Sequence, residues 1–591
     1  MFRFVIFAVY VICMNSHWID PDTRNKDSVT YSLFDEQRYD LVFSDEFNRD
    51  NRQFKDGFDP RWTAIHKNDY TNFALHYYNE DLVSTHGGHL NITSIIKDVS
   101  YNVHSVQKKD VKRETKNYQA AMIQGWNKFC FTGGIVEISA KLPGKAEIGG
   151  LWPAMWLLGN LARATYVGSS NNVWPWSYDE CSPELQHKQA ISACNLVNHF
   201  NMHSKQGRGA PEVDILEAMP GKAKLINTPI SKPYFSTSFQ VAPGFKDYRP
   251  TASELPDLSQ WYSHDIQYAE SNTDLNVFFY GMNLEGVTPA QSYTADAISA
   301  NTNLLDMHFE DFHKYRLEWL AGDEGYLKWY LDDKFLFGIG ANALNETGAM
   351  IPEEPMYLIL NTAVSSTWGF PSPCPEGCPC SCYDARVEEC QCSIPENMLA
   401  NFPNQFLIDY VRVYQNKEVE GQVVGCSTPT HPSRTYIEGH ASSYMSEDAK
   451  QPLQPVLAGG AACGDAAGEC GEGRCVQGKC VCSEGFTGPV CLAHVAFDDI
   501  IWDRDEGISL NSFMLPLPLL CFFLFFVVGF AATMYYKHVF DINQRRALAA
   551  FSQQRKGREY MTIIDRELEM AESPSVLQRP YDPTRTYQNK Y

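Results

Sequence analysis

Basic residues are scarce in this sequence. Its 591 residues include 49 Lys and Arg against 71 Asp and Glu, which gives a formal net charge of −22. A surface that binds nucleic-acid phosphates needs a surplus of Lys and Arg. Nucleic acid is therefore excluded as an expected partner. The length exceeds that of one ordinary domain, so several segments with different roles are expected.

A convincing helical period is also missing from the large segment 39–416. Short runs rich in β-branched and aromatic residues occupy it instead, and several of them alternate apolar with polar residues. These runs are Leu41–Phe43, Gly134–Ala140, Tyr315–Leu320, Tyr326–Leu331, Met356–Leu360 and Ile408–Tyr414. The pattern predicts an all-β domain, built as an antiparallel β-sandwich.

Charged residues are absent between Glu506 and Lys537. Residues 513–536 are long and apolar enough to form a transmembrane helix, and the basic residues after it predict a cytosolic tail at 537–591. Residues 1–18 read as a signal peptide, with an uncleaved signal anchor as the alternative. Together they predict a single-pass type I protein of a secretory-pathway membrane, either Golgi or plasma membrane. The domain 39–416 would then be lumenal or extracellular.

The cysteines fit an oxidising compartment. Of 18, Cys13 lies in the predicted signal and Cys521 in the predicted span, which leaves sixteen for disulfides. One cluster, between Cys374 and Cys392, predicts a disulfide-stapled loop. A zinc site is the alternative, but no histidine stands nearby, and neither a metal nor a cofactor is expected. The glycosylation sequons at Asn91 and Asn345 fit the same compartment.

A stretch rich in Ser, Pro, Gly and Ala at 417–461 reads as an exposed linker. Residues 462–492 follow as a compact module with six cysteines: Cys463, Cys470, Cys475, Cys480, Cys482 and Cys491. The module resembles an EGF-like domain, and that resemblance implies first-to-third, second-to-fourth and fifth-to-sixth pairing. Spacing alone leaves fifteen pairings open.

The segment 212–217 carries three acids in the order Glu212, Asp214 and Glu217. A regular strand would point Glu217 into the apolar core with Val213 and Ile215, where a charge is costly. A β-bulge near Ile215 and Leu216 would bring all three acids to one face. Carboxylates that repel one another on one face favour a protonated acid beside an ionised nucleophile. A retaining glycosidase needs such a pair about 5–5.5 Å apart. The alternatives are a solvated acidic edge or a calcium site.

The spacing Glu-x-Asp-x-x-Glu resembles the bulged motif of glycoside hydrolase family 16, the retaining β-glucanases and transglycosylases. Further stretches resemble the same family: Ser44–Phe47, Gly150–Trp156 and Ile408–Gln415. Within it the chain is closest to the yeast β-1,6-glucan synthesis-associated proteins. That likeness rests on Gly159–Arg163, Trp174–Cys181, Phe235–Pro243 and Ile351–Tyr357. The resemblance implies a concanavalin-like jelly roll.

The resemblance also implies roles for single residues. Glu212 would be the nucleophile, Glu217 the acid/base, and Asp214 would hydrogen-bond between them. Further candidates would bind sugar, and for each tryptophan a place in the core is the alternative. They are Trp152, Trp156, Trp126, Trp174, Trp176 and Gln240.

The resemblance implies an enzyme that hydrolyses β-glucan or transfers β-glucan segments, in synthesis or remodelling of β-1,3/β-1,6-glucan of a cell wall or storage polymer. The alternative is a non-catalytic β-glucan receptor or a scaffold for a glucan synthase. Expected partners are β-glucan polysaccharide or oligosaccharide, the membrane and the glucan-synthesis machinery. A third hypothesis, calcium-dependent adhesion through the EGF-like module, is disfavoured because the segment before Cys463 lacks acidic residues.

Overall fold

The computed structural model describes residues 18–105, 110–177, 181–196, 202, 206–222, 233–241, 265–269, 271–275, 297–344, 349–371, 374–446, 449–464 and 469–495. Apart from the hairpin tip within His104–Lys112, these residues belong to one compact unit. The predicted transmembrane span and cytosolic tail, and all of the predicted signal but Trp18, lie outside the described residues. Within them, no helix has the length and apolar character needed to span a bilayer.

Strands dominate the described part of the chain. In chain order they are β1 (Val29–Tyr31), β2 (Arg38–Asp45), β3 (Thr63–Ala64), β4 (Lys67–Asn68), β5 (His76–Tyr78), β6 (Val83–His86), β7 (His89–Ser105), β8 (Asp110–Ala120), β9 (Met122–Gln124), β10 (Phe131–Thr132), β11 (Gly134–Lys141), β12 (Trp152–Gly159), β13 (Glu212–Met219), β14 (Tyr234–Gln240), β15 (Ile266–Tyr268), β16 (Thr273–Leu275), β17 (Ala297–Asn303), β18 (His313–Leu320), β19 (Tyr326–Leu331), β20 (Lys334–Gly340), β21 (Met356–Ala363), β22 (Asn404–Gln415), β23 (Val423–Val424), β24 (Gly473–Val476), β25 (Lys479–Cys482), β26 (Phe486–Thr487) and β27 (Ala493–His494).

Helices in the described residues are short. The α-helices there are α1 (Val167–Ser170), α2 (Met307–Glu310) and α3 (Arg434–Gly439), and 3₁₀ helices cover Asn25–Asp27, Glu80–Leu82, Gln186–Lys188, Ala341–Leu344, Glu388–Ser393, Met398–Asn401 and Ala441–Tyr444. The predicted all-β class and the six predicted strands are confirmed.

Two large sheets form the sandwich. The first runs in the order β15-β20-β19-β18-β11-β22-β7-β8-β5-β4, and the second in the order β16-β17-β14-β13-β12-β21-β10-β23. Alternate residues of the central strands face the space between the sheets, as the two-residue period of a strand requires. One continuous apolar core results, and it includes Ile138, Leu317, Val413, Met155, Val213, Phe239 and Leu360. The architecture is jelly-roll-like.

The segment predicted as an exposed linker packs against the sandwich instead. Its strand β23 pairs with β10, and Cys426 forms a disulfide with Cys130. The Tyr444 ring stacks on Trp126 with centroids 5.3 Å apart, and Arg163 donates to the Tyr444 and Pro452 carbonyls. The exposed-linker prediction was wrong for this part because a few apolar side chains within a polar stretch anchor it.

The EGF-like module has the disulfides that its resemblance implied. Cys463 pairs with Cys475, Cys470 with Cys480, and Cys482 with Cys491. The predicted stapled loop is also held by three disulfides, which are Cys374–Cys380, Cys378–Cys392 and Cys382–Cys390. With Cys130–Cys426 and Cys181–Cys194, all sixteen cysteines between the predicted signal and span are paired.

The module contacts the sandwich. Arg49 forms an ion pair with Glu472 at 2.7 Å and lies 4.5 Å from the centre of the Phe486 ring. Arg61 donates to the His494 carbonyl at 3.1 Å. At Gly488 a Cβ atom would come within 2.6 Å of the Phe58 carbonyl oxygen. The module is therefore packed closely on the loop that precedes β3.

Candidate active site

The three acids of β13 share one face because the strand is bulged. Met155 of β12 pairs with Leu216, and Trp156 pairs with Asp214, so that Ile215 has no partner on β12. On the β14 side, Asp214 pairs with Ser238 and Glu217 pairs with Ser236. Two residues of β13 therefore lie opposite a single residue of β14. The predicted bulge is confirmed.

The bulge restores the alternation of the strand. Glu212, Asp214 and Glu217 pair with Leu158, Trp156 and Ala154, which occupy alternate positions on β12. Their apolar neighbours Val213, Ile215 and Leu216 lie in the core between the sheets. The acids are 5%, 1% and 6% exposed. The three acidic side chains are thus nearly buried on one face of β13, opposite the core between the sheets.

Asp214 is fixed from two sides. The Ser238 hydroxyl donates to its Oδ2 at 2.5 Å, and the Gln240 amide donates to the same oxygen at 3.2 Å. Its backbone carbonyl accepts a hydrogen bond from the Trp329 indole at 2.9 Å. Gln240, predicted to bind sugar, is thus a direct partner of Asp214. Ser238 was missed, although it lies within the stretch that carried the family resemblance.

Two tyrosines lie near the ends of the acidic strand. Burial raises the pKa of the Tyr234 hydroxyl, and the charge of Glu217 raises it further. Burial likewise raises the pKa of Tyr357, with a smaller contribution from Glu212. Both hydroxyls therefore stay protonated at neutral pH. The Tyr357 hydroxyl already donates to the Ala162 carbonyl.

Tryptophans line the strands on one side of the acids. The Trp152 ring stacks on Trp368 with centroids 4.3 Å apart and planes 8° from parallel. Trp156 is half-buried, and its indole donates to Asn361 Oδ1 at 2.8 Å. The Asn361 amide donates in turn to the Tyr78 hydroxyl. Trp156 is the cross-strand partner of Asp214, and Trp152 lies at an alternate position of β12, so both lie on the acid-bearing face. Their role in sugar binding stays a prediction.

Residues on either side of the stapled loop pack against the turn that precedes β12. At Gly150, which has a φ of +104°, a Cβ atom would lie 2.6 Å from the sulfur of Met398. At Gly149 it would lie 2.3 Å from the Gly369 carbonyl oxygen. These contacts leave no room for a side chain at Gly149 or Gly150, so the segments that flank the loop pack directly against the residues before Trp152.

Of the other predicted tryptophans, Trp126 and Trp176 are packing residues in this structure. Trp126 is buried under Tyr444, with its indole donating to the Asn160 carbonyl, and Arg163 lies 4.7 Å from its ring centre. Trp174 is half-buried against the same apolar cluster. Trp176 is buried and lies so close to Gly209 that a Cβ there would clash with its main chain. The core alternative fits Trp126 and Trp176 better than sugar binding. Trp174 is half-buried against the same cluster as Trp156 and stays a candidate for sugar binding.

The glycosylation sequon at Asn91 lies on the first sheet, whereas the acids lie on the second. Asn91 is 7% exposed within β7, and its amide nitrogen donates to the His86 and His89 carbonyls. This placement argues against a glycan on Asn91 in the folded protein, because the nitrogen is already bonded. Asn345 lies outside the described residues.

Possible metal ligands also lie elsewhere. Asp20, Asp22 and His494 bring ligand atoms within 4.8 Å of one another, but Arg49 donates to the His494 ring and Arg61 to its carbonyl. Positive charge at these positions disfavours a cation. The clustered cysteines are in disulfides and are not available as thiolate ligands.

Comparison with known proteins identifies the family. The sequence model of the protein family described as "Beta-glucan synthesis-associated protein SKN1/KRE6/Sbg1" matches residues 8–373. The chain belongs to this family. SKN1 of Saccharomyces cerevisiae is 30% identical over 449 residues, which cover 72% of this chain and 49% of that protein. SKN1 of Candida albicans is 31% identical over 447 residues, which cover 72% and 52%. The chain spans about half the length of the curated relatives it matches, and the predicted resemblance to the yeast proteins is confirmed.

Solved structures with a similar fold include two glucanases. One is the catalytic domain of an endo-1,3-β-glucanase (laminarinase) from Thermotoga petrophila, at 20% identity and a TM-score of 0.35, with 64% of this chain and 98% of that chain covered. The other is an endo-β-1,3-glucanase from Pyrococcus furiosus, at 18% identity and a TM-score of 0.35, with 67% and 99% covered.

Proposed function

We propose that this chain remodels β-glucan by cleaving a glycosidic bond and passing the released segment to water or to a second sugar. The bulge in β13 carries the proposal, since it gathers Glu212, Asp214 and Glu217 on one face. All three acids are almost completely buried, which argues against the alternative of a solvated acidic edge. Charges are not buried together without a specific use or partner.

Each acid has a separate role in the proposed double displacement. The Glu212 carboxylate attacks the anomeric carbon while Glu217 donates its proton to the leaving oxygen. A hydroxyl group then opens the glycosyl ester on Glu212 and returns a proton to Glu217, so the anomeric configuration is retained. Asp214, held by Ser238 and Gln240, orients its two neighbours.

The substrate class is proposed from the family and from the tryptophans. The relatives are named for β-glucan synthesis, and a glucan of β-1,3 or β-1,6 linkage is the substrate that we propose. Trp152 and Trp156 offer flat apolar surfaces on which pyranose rings stack. A cell-wall or storage glucan has the repeated rings that such a surface suits.

The compartment is part of the proposal. Eight disulfides require an oxidising environment, and the sequence 513–536 offers a membrane anchor. We place the acid-bearing domain on the lumenal or extracellular side of a Golgi or plasma membrane. Glucan-synthesis machinery in that membrane is the proposed protein partner.

Product analysis tests the proposal. The full chain is incubated with laminaritetraose, a linear β-1,3-glucan tetrasaccharide, and with a β-1,6-linked tetrasaccharide. We expect shorter products from hydrolysis and longer ones from transfer. Glu212→Gln should reduce turnover at least about 10⁴-fold, because it removes the nucleophile, with an unchanged melting temperature. Glu418→Gln, on the exposed loop after β22, is the matched control and should keep wild-type turnover.

Other outcomes are informative. A wild-type chain that binds these glucans and leaves them unchanged in length would support the receptor or scaffold hypothesis instead. Full turnover by Glu212→Gln would exclude the proposed mechanism.

A further inference from the structure

The acid-bearing face continues beyond the acids onto β14 and β17, where it changes character. Glu217 pairs with Ser236, and Ser236 pairs with Asn301. In the next row, Asp214 pairs with Ser238, and Ser238 pairs with Ser299. Small polar side chains therefore extend the face on the side away from Trp152 and Trp156.

Three of these side chains hold polar atoms that no hydrogen bond satisfies. Among the residues the structure describes, Ser236 Oγ, Ser299 Oγ and Asn301 Oδ1 are buried without a partner. The residues are 0%, 2% and 1% exposed. Ser238, two residues after Ser236 on the same strand face, differs because its hydroxyl donates to Asp214. On the tryptophan side, Asn361 accepts from the Trp156 indole and donates to the Tyr78 hydroxyl, and the buried Trp152 indole nitrogen has no partner.

A buried polar atom without a partner is unfavourable to folding, and such atoms are rare. Three of them on adjacent strands beside an acidic cluster indicate a place for a polar ligand. A site that hydrogen-bonds hydroxyl groups leaves its own polar atoms unpaired when the ligand is absent. Serine hydroxyls donate and accept, and an amide oxygen accepts, so that the three together suit the hydroxyls of a sugar.

We propose that Ser236, Ser299 and Asn301 bind the acceptor sugar that receives the glycosyl group. This inference rests on the proposed function and adds the acceptor to it. Position decides the assignment, because Ser236 is the direct cross-strand partner of Glu217, the proposed acid/base. The incoming hydroxyl must arrive beside that residue.

The step is balanced. The acceptor hydroxyl oxygen forms a bond to the anomeric carbon as the ester bond to Glu212 breaks, and the hydroxyl proton passes to Glu217. Hydrogen bonds from β14 and β17 to the other hydroxyls hold the acceptor in place of water. They thereby raise the fraction of turnovers that end in transfer.

Acceptor kinetics test this site. The full chain is given unlabelled laminaritetraose as donor and 2-aminobenzamide-labelled laminaritetraose as acceptor. We expect Ser236→Ala and Asn301→Ala each to raise the KM for the labelled acceptor about 3- to 10-fold, the cost of a lost hydrogen bond. As the KM for the acceptor rises, the ratio of transfer to hydrolysis should fall. Ser236→Ala should keep or raise the melting temperature, because it removes an unsatisfied hydroxyl.

A matched control lies on the same strand. Asn303 is exposed at the end of β17, two positions from Asn301, and Asn303→Ala should leave the acceptor KM and the ratio unchanged. A purely structural role would lower melting temperature and total turnover together, without changing the ratio.

The failures of the two proposals differ. Suppose that Ser236→Ala and Asn301→Ala turn over substrate with an unchanged acceptor KM and an unchanged ratio of transfer to hydrolysis. That result would overturn the acceptor site and leave the proposed function standing. Absence of any product from the wild-type chain overturns the proposed function. In that case calorimetric titration with laminaritetraose decides whether these residues bind sugar: equal affinity in wild type and both variants overturns the site.

Discussion

The Trp329 indole of β19 donates across the sandwich to the backbone carbonyl of Asp214 in β13, with 2.9 Å between nitrogen and oxygen. Both residues are almost completely buried. The bulge interrupts the regular ladder at this point, and the contact gives the Asp214 carbonyl a partner from the opposite sheet. The core of the first sheet thereby helps to fix the irregular strand that carries the acids.

Trp329→Phe should weaken both the fold and the site. The change keeps an aromatic ring but leaves the Asp214 carbonyl without this donor, which costs about 1–3 kcal/mol when buried. Because the bulge aligns the acids, we also expect a drop of at least about 10-fold in turnover. Urea unfolding and product analysis with laminaritetraose measure the two effects.

Trp319→Phe is the matched control for this prediction. The Trp319 indole is also buried, but it donates to the Pro352 carbonyl and not to the acid-bearing strand β13. It should show a similar loss of stability with little loss of turnover. Equal turnover losses in the two variants would contradict a specific role of Trp329 in holding the bulge.

Much of the fold follows from patterns visible in the sequence. Tyr326–Leu331 is a strand with the predicted bounds because Leu327 and Trp329 face the core while Lys328 points away. The bulge was predictable because three acids and three apolar residues can be separated onto two faces only if one residue is added. Local alternation carries both inferences, and alternation is a property of the sequence itself.

Contacts between distant segments were not predictable in the same way. Cys130 and Cys426 are 296 residues apart, and nothing local marks them as partners. The composition of 417–461 favours an exposed linker, yet Tyr436, Ile437 and Tyr444 are buried. Individual side chains decided the packing there, whereas composition reports only an average. The unsatisfied serines on β14 and β17 likewise become visible only once strand register is known.

His76 makes the fold sensitive to acid. Burial is the main cause that lowers the pKa of His76 to about 4, and Lys116 lowers it further while Asp69 opposes the shift. In the unfolded chain the pKa is about 6.5. Between these values the unfolded chain binds more protons, so the stability that neutral His76 provides above pH 6.5 is lost as pH falls toward 4.

His76→Gln should reduce this dependence. In the wild type, His76 should account for a loss of up to about 3 kcal/mol in the free energy of unfolding between pH 6.5 and pH 4. The variant should lack this part of the loss. Chemical denaturation at several pH values measures the slope. His86→Gln replaces an exposed histidine and should keep the wild-type slope. An unchanged slope in His76→Gln would show that His76 is not responsible.

Tyr444 tests whether the segment 417–461 is part of the folded domain. Its ring stacks on Trp126 and its hydroxyl donates to the Leu161 carbonyl at 2.6 Å. Tyr444→Ala should therefore lower the free energy of unfolding by about 2–4 kcal/mol. Leu457→Ala changes a residue of the same segment that is 60% exposed and should have an effect below about 0.5 kcal/mol. Equal, small effects would restore the linker interpretation.

Gly488 tests whether the EGF-like module is held against the sandwich in solution. Gly488 and Gly485 both have a φ of +86°, so alanine is strained at either position. A Cβ atom at Gly488 would also meet the Phe58 carbonyl oxygen at 2.6 Å, whereas nothing lies within 4 Å of one at Gly485. Gly488→Ala should therefore release the module, and Gly485→Ala should not. Hydrogen exchange of residues 49–61 measures the difference, with faster exchange expected only in Gly488→Ala. Equal exchange in the two variants would mean that the close approach at Phe58 does not hold the module.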